Sequence, residues 1–233
     1  MISPSNLLLA SLSPSDLAAL EPRLKPASLQ QMQTLYEAGD PISTVYFPTG
    51  AIISLVVALS TGEIVEAAMV GRDGVVGASS ALDGKISLSR AIVQLSGPSL
   101  TCDVGVLKTL AMQSQSLLSL LIRHEQALYA QAQQSTACMA SHHTDARFCR
   151  WMLRARDLSG SDTLNFTQEF LAEMLGVGRT HVTLVAHTLQ AAGIIKYTRG
   201  KIHILDLEAL REAACECYDT VNSNYRALLG GQY

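Results

Sequence analysis

The sequence predicts an α+β chain: an N-terminal antiparallel β-roll or jelly roll, a long central helix, and a compact C-terminal unit of helix, turn, helix and hairpin. Three observations predict it. Short β-branched runs separated by turn residues occupy roughly positions 29–103. No proline or glycine interrupts the stretch from Val106 to Ser159. Beyond it, residues 166–205 pass from helical to alternating periodicity around Gly176, Gly178, Gly193 and Gly200.

Residues 5–28 read as a short helical lead-in, with Leu7, Leu8, Leu12, Leu17, Leu20 and Leu24 at helix-compatible spacings and Pro14, Pro22 and Pro26 dividing it. The runs TVYF, AIISLVVAL, EIVEAAMV, VV, RAIVQL and SLTCDV then alternate with AGDP, PTG, STGE, GRDG, LDGK and SGP. Many short strands at regular spacing, joined by Gly-rich turns, predict a roll or barrel. A parallel α/β sheet is excluded because no helical pattern separates the strands.

Residues 104–142 return to helix. Leu118, Leu121, Leu128, Ala132 and Met139 fall on one heptad-like seam with Glu125 and Ser135, which predicts pairing with a second copy of the chain. The competing reading is a helix packed on its own domain. Residues 143–159 predict another helix, with Phe148, Trp151, Met152 and Ala155 facing inward, and 158–163 (LSGSDT) form the natural boundary. The expected organisation is a sensor-like roll over 1–112, a dimerisation helix over 113–142 and a final domain over 143–233.

The longest near-continuous apolar run, Ala51 to Leu59, is broken by Ser54 and is far short of the ~20 residues a membrane span needs. No basic flank precedes the leucines of MISPSNLLL, so no secretory leader or membrane partner is expected. Cys102, Cys138, Cys149, Cys215 and Cys217 show no paired framework, which predicts reduced thiols in a cytoplasmic protein. The net charge is −3, unevenly spread. Residues 1–115 hold nine acids and six bases, whereas 116–160 hold three acids and five bases, with Arg147, Arg150, Arg154 and Arg156 close together. No acid occurs between Glu173 and Asp206, where Arg179, Lys196, Arg199 and Lys201 lie. Local cationic surface on an acidic chain is the footprint of phosphate binding.

The stretch FTQEFLAEMLGVGRTHVTLVAHTLQAAGII, 166–195, carries the function. Thr167 suits an N-cap, Glu169 suits the positive end of the helix dipole, and Gly176 suits a left-handed turn. In the next helix Val182, Val185, Ala186 and Leu189 must face the core, leaving Arg179, Thr180, His181, Thr183, Leu184, His187 and Gln190 outside. An arginine, hydroxyls and an apolar side chain are what a recognition helix offers base edges in a major groove. IIKYTRGKIHIL follows as two short strands around Arg199–Gly200, with Lys196, Arg199 and Lys201 placing charge near the tip. This is a wing suited to the sugar–phosphate backbone. The candidate double-stranded-DNA contacts are Thr167, Gln168, Arg179, Thr180, His181, Thr183, Leu184, His187, Arg199 and Lys201.

The run TQEFLAEMLGVGRTHVTLVAHTLQAAGII with the RGKIHILD wing resembles the C-terminal domain of the CRP/FNR family of bacterial regulators. The region holding GRDGVVGASSAL and SRAIVQ resembles that family's cyclic-nucleotide-binding-like sensor. The resemblance covers nearly the whole chain. It implies a transcription regulator that grips a two-fold-related DNA site as a homodimer and acts on RNA polymerase. Arg179 matches the family's main base-contacting arginine. Thr180 stands where cyclic-AMP-responsive members commonly have Glu, and Leu184 where they have a second Arg, so the half-site sequence departs from theirs.

The same resemblance locates an effector site at Gly77, Ala78, Ser79, Ser89 and Arg90. There Ala78 replaces the ribose-binding Glu and Ser89 occupies the phosphate-binding Arg position. Arg90, one residue on, falls on the opposite face of a strand. Cyclic AMP in the usual mode is therefore not expected, and the effector is left unassigned. An iron–sulfur member would need cysteines near the N-terminus. Cys215 and Cys217 form a C-x-C on a predicted helix, which points two side chains apart, and His124, His142 and His143 lie on the long helix as ordinary helix residues. No metal or cofactor is expected. Nor is an enzyme, since all six histidines lie at or beyond position 124, outside the roll. The alternative is a cyclic-nucleotide-binding-like module acting through protein contacts alone.

Overall fold

The computed structural model describes residues 5–84 and 86–230. The first four residues, part of the N-terminus read as lacking a leader, and Lys85, which closes the LDGK turn, lie outside these. Two short helices, α1 (Leu7–Ala10) and α2 (Pro14–Leu20), open the chain. Asn6 caps α1, and its amide donates to the Pro48 and Gly74 carbonyls, tying the lead-in to the roll. The helical lead-in ends earlier than its leucine spacing suggests. Lys25–Leu29 is a strand, β1, antiparallel to Gly97–Asp103 (β7), and Pro26 is tolerated because β1 is an edge.

The roll is two antiparallel sheets. One has the order β1, β7, β3 (Thr44–Pro48). The other has the order β2 (Thr34–Tyr36), β6 (Arg90–Leu95), β4 (Ile52–Ala58), β5 (Ile64–Val70). Ile53, Val70, Val76, Ala91 and Val93 pack between them with Leu29 and Tyr36. The VV pair, Val75–Val76, makes only a single bridge to Tyr46 rather than a strand. A one-turn helix, α3 (Ala78–Ala81), follows.

Residues 104–142 are two helices, not one. Helix α4 (Val104–Gln113) stops at Ser114, whose extended backbone and side chain cap α5 (Gln115–Ser141). A serine N-cap breaks the helix with no proline or glycine needed. Leu117, Leu120, Leu121, His124, Ala127, Gln131, Ser135 and Cys138 of α5 are buried against the protein's own core. Leu121 therefore belongs to the inner face, and the predicted seam is rotated. The outward heptad positions are Leu118, Ile122, Glu125, Tyr129, Ala132, Thr136 and Met139, with Ile122 51% and Tyr129 65% exposed.

Helix α6 (Thr144–Ser159) joins roll to C-terminal domain, and its inward residues are as predicted: Phe148, Trp151, Met152 and Ala155 are buried. They share one apolar cluster with Ile52, Val56 and Met69 of the roll and with residues 164–210 beyond. Burying each large aliphatic or aromatic side chain contributes about 1.5–3 kcal/mol, so the two units are welded rather than tethered. The helix ends at Gly160, in left-handed backbone. Strand β8 (Thr163–Asn165), α7 (Gln168–Leu175), α8 (Arg179–Ala191), β9 (Ile195–Thr198), β10 (Lys201–Ile204), α9 (Leu207–Glu212) and α10 (Cys217–Leu229) complete the chain. Helix α10 turns back to pack on α5 and α6.

The arginine group of α6 is corrected. Arg147 donates to the Leu175 carbonyl, Arg154 pairs with Asp73, and Arg156 pairs with Asp162 and Asp157. Arg154 ties α6 to the roll, and Arg147 and Arg156 tie α6 to the elements that follow it, so these three do not form a free cationic face. Glu66 of β5 is buried nearby, accepting from Ser54 Oγ at 2.5 Å and Trp151 Nε1 at 3.1 Å. Burial pushes its carboxyl up to about 7, against the pull of those hydrogen bonds and of Arg150 and Arg154.

Because the folded-state value lies above the ordinary 4.5, the fold favours neutral Glu66. Its stability is full below about 4.5 and is lost as pH rises through about 7. Glu66→Gln keeps the shape without the charge. Denaturant titrations should show the variant gaining on the wild type as pH rises to about 7 and then levelling off. A difference independent of pH between 5 and 8 would refute the burial argument.

Candidate nucleic-acid interface

Thr167 caps α7, its Oγ1 accepting from Phe170 N at 3.1 Å, and Phe170, Leu171, Met174 and Leu175 are buried beneath. Gly176 ends α7 at φ +60°, where any side chain would be strained and where an added Cβ would lie 3.3 Å from Val65 of the roll. Helix α8 then starts at Arg179, with Gly178 as N-cap. Val182, Ala186 and Leu189 are buried and Val185 is half-buried, which turns the other face outward as the periodicity requires.

Arg179, Thr180, His181, Thr183, Leu184 and His187 are all exposed, Leu184 at 65%. Thr183 Oγ1 lies 2.9 Å from Gln168 Oε1 and 3.0 Å from the Arg179 carbonyl, so Gln168 is braced against α8. The wing is a two-residue hairpin. Arg199 at φ +51° and Gly200 at φ +78° both take left-handed backbone, the primed turn that matches strand twist. Arg199 and Lys201 are exposed at its tip. An open cleft between helix and wing is lined by Thr167, Gln168, Arg179, Gln190, Tyr197 and Arg199.

Two of these lining residues lie outside the predicted contact set, and both position the wing. Gln190 Oε1 accepts from Tyr197 N at 2.7 Å, and Tyr197 OH donates to the Phe166 carbonyl at 2.8 Å. Burial pushes the Tyr197 phenol up to about 12, with the Arg179 guanidinium pulling it down. Gln190 was legible as an outward helix position; its bond to the wing was not. From Met174 to Leu205 no carboxylate competes for a phosphate.

The residues proposed for an effector are differently placed. Arg90 donates to Thr34 Oγ1 at 2.9 Å and pairs with Glu37 at 3.2 Å, so its charge is already engaged by the β2 side. Gly77 takes φ +91° at the start of α3, Ala78 is buried, Ser79 is exposed and Ser89 is half-buried. No polar contact joins Arg90 to the 77–79 corner among the interactions the described residues make. His124 is fully buried on α5, where Nε2 accepts from Val75 N at 3.2 Å, a packing role rather than that of an open ligand. The expectation that Cys215 and Cys217 diverge on a helix is also corrected. Cys215 precedes α10 and Cys217 is its first residue, and both turn toward α5.

A helix, a left-handed glycine turn, an exposed second helix and a basic hairpin define a winged helix-turn-helix, here carried by a two-sheet roll. Residues 146–213 match the Crp-like helix-turn-helix domain. No curated protein matches the sequence. Among solved structures, the fold is similar to that of FixK2 from Bradyrhizobium japonicum, with TM-score 0.71 and 15% identity over 82% of this chain and 98% of that one. It is also similar to a crp/fnr-family regulator from Eubacterium rectale, with TM-score 0.68 and 15% identity over 88% and 96%. A CRP/FNR-family regulator from Thermus thermophilus gives TM-score 0.66 and 21% identity over 82% and 98%. These likenesses establish the shared fold, and the domain match carries the chemistry. Residues 146–213 are a Crp-like helix-turn-helix domain, a DNA-binding element, and the chain as a whole shares its fold with these regulators. No helix among the described residues is long and apolar enough to cross a membrane.

If Arg199 and Lys201 touch phosphates, Arg199→Ala and Lys201→Ala should each weaken DNA binding about equally on all sequences. Each should lower the slope of log K against log salt by about 1. A wing that serves protein contacts instead would leave that slope unchanged.

Proposed function

We propose that the protein is a homodimeric, non-enzymatic regulator that reads a two-fold-related operator with α8 and steadies itself on phosphates with the wing. The observation that carries this is the outward face of α8, led by Arg179 beside an acid-free cleft. Arg179 is suited to a guanine edge, Thr180, Thr183 and His187 to hydrogen bonds, and Leu184 to a thymine methyl. Thr167 and Gln168, at the start of α7, are suited to the backbone beside the groove. His181 is exposed in the same first turn of α8.

Dimerisation through α5 is supported by the stripe Leu118, Ile122, Glu125, Tyr129, Ala132, Thr136 and Met139, whose four–three spacing is a coiled-coil seam. Leu118, Glu125, Ala132 and Met139 belong to both this stripe and the sequence-based seam, with Leu118 also packed at the edge of the core. Leu128 is half-buried beside the core of the roll, and Leu121 is committed to the core. The two-fold axis this implies would present two recognition helices to major grooves about 34 Å apart. Contact with RNA polymerase rests on the resemblance. The division into 1–112, 113–142 and 143–233 is part of this proposal, and α10 packs on α5, which ties the last unit to the proposed dimerisation helix. The filled roll and the Arg90–Glu37 pair favour control by something other than cyclic AMP held in the usual mode.

Binding should be measured on a fragment from the protein's own promoter region and on unrelated DNA. Arg179→Ala should weaken specific binding about 5- to 150-fold per half-site and leave non-specific binding nearly unchanged. An unaltered ratio would overturn the assignment of α8. For the dimer, Ile122→Glu with Tyr129→Glu places two charges in the stripe and should give a monomer by light scattering. A dimer that persists unchanged would exclude this face.

A further inference from the structure

Cys138, His142, Cys215 and Cys217 bring three thiol sulfurs and an imidazole nitrogen within 4.8 Å of one another. We propose that these four residues bind a thiophilic divalent cation of the Zn²⁺ class and so clamp the end of α5 to the start of α10. Zinc at its usual distances of ~2.3 Å to sulfur and ~2.0–2.1 Å to nitrogen makes a tetrahedron with edges of about 3.8 Å (S–S) and 3.6 Å (S–N). Cys138 Sγ and Cys215 Sγ are 3.5 Å apart, and Cys217 Sγ and His142 Nδ1 are also 3.5 Å apart. Two opposite edges of the tetrahedron are thus present.

Local structure explains the convergence. Cys138 and His142 are four residues apart, on one face of the last turn of α5 and at its cap. Cys215 lies in the loop before α10 and Cys217 opens that helix, so the chain bends between them. The second layer has the form of a metal site. His142 Nε2 meets Glu216 Oε1 at 3.2 Å, which leaves Nδ1 as the ligand and orients the ring. Gln134 Nε2 donates to Cys217 Sγ at 3.0 Å, a bond that suits a thiolate. Three thiolates and a dication leave one negative charge, and Arg150 lies close enough to act on Cys138.

Three sulfurs and one imidazole select zinc over magnesium or calcium, and four protein ligands make a closed, structural site rather than a catalytic one. Cys138, Cys215 and Cys217 are buried, so the ion would sit dry at the elbow where α5 passes into α6. The metal would hold the C-terminal domain at a set angle to the dimerisation helix. This inference does not depend on which base pairs α8 reads.

The test uses the full chain, purified without added metal, with zinc measured by elemental mass spectrometry and with Co²⁺ as a spectroscopic substitute. One zinc per chain is expected, and the Co²⁺ form should show intense visible bands and thiolate-to-cobalt charge transfer of a tetrahedral sulfur-rich site. Cys217→Ser and His142→Ala should lose the charge-transfer band or weaken it. Glu216→Gln, at a side chain 74% exposed, should weaken zinc affinity about 10- to 100-fold. Cys149→Ser, a buried cysteine outside the set, should keep the metal. A metal-free protein carrying a Cys138–Cys215 disulfide, a weak octahedral cobalt spectrum, or a Glu216→Gln affinity equal to wild type would each overturn the proposal.

Discussion

The buried pair between Arg154 of α6 and Asp73 of the roll is the constraint on which the arrangement of the two domains depends. Arg154 also lies over the Tyr225 ring at 4.9 Å, and Tyr225 OH accepts from Gln131 of α5 at 2.8 Å. Gln131 in turn takes the Met69 N–H at 2.6 Å and reaches the Met69 carbonyl at 3.3 Å. One continuous polar chain thus joins roll, α5, α6 and α10 inside an otherwise apolar seam. Replacing such a pair with apolar groups can cost little. Removing one partner strands a charge and typically costs about 3–5 kcal/mol. The value of the network lies in geometry: hydrogen bonds fix an angle between domains that apolar packing alone would leave adjustable.

That network explains which parts of the molecule were legible in the sequence. The recognition helix was, because Val182, Ala186 and Leu189 must be buried at helical spacing and everything between them must then face out. The wing was, because Arg199–Gly200 is primed-turn chemistry between alternating strands. The strand at Arg90–Leu95 was, for the same reason of alternation within turn boundaries. What periodicity cannot see is which of two apolar faces meets which partner. Helix α5 carries two such faces, and Leu121 belongs to the inner one because α5 lies against the roll and α10 covers another side. Charge clusters mislead in a similar way. Arg147, Arg154 and Arg156 are close in sequence and basic in sum, yet each one's partner lies elsewhere in the chain or in a neighbouring turn. The cysteine and histidine cluster is invisible for a further reason, since Cys138 and Cys215 are 77 positions apart and meet only when α10 folds back.

The packing also says how a change in the roll would reach the DNA-reading surface. Strand β5 is touched from both sides: Glu66 holds Trp151 of α6, and Val65 lies under Gly176 at the turn between α7 and α8. Gln31 adds a direct bridge, donating to the Gln94 carbonyl of the roll at 3.0 Å and to the Asn165 carbonyl of β8 at 3.1 Å. A shift of β5 by a fraction of a turn therefore cannot be absorbed locally, because close-packed interiors pass displacement on rather than compress. The element that must move with it is α7, and α8 follows because the turn between them is held by a glycine with little space around it.

The reading surface itself is small and its chemistry is lopsided. Arg179 is the one side chain on α8 able to make a bidentate contact to guanine, and the positions that in related regulators add Glu and a second Arg are Thr180 and Leu184. Hydroxyls and methyl contacts discriminate less than bidentate pairs, which are worth about 1–3 kcal/mol each. In the proposed dimer, selectivity would then come more from spacing and from the shape of the DNA between half-sites, both set by the angle between the two recognition helices. A protein with weak base contacts gains most from a rigid frame. Here that frame is supplied by the Arg154–Asp73 pair, the buried Glu66 held by Trp151 and the returning helix α10.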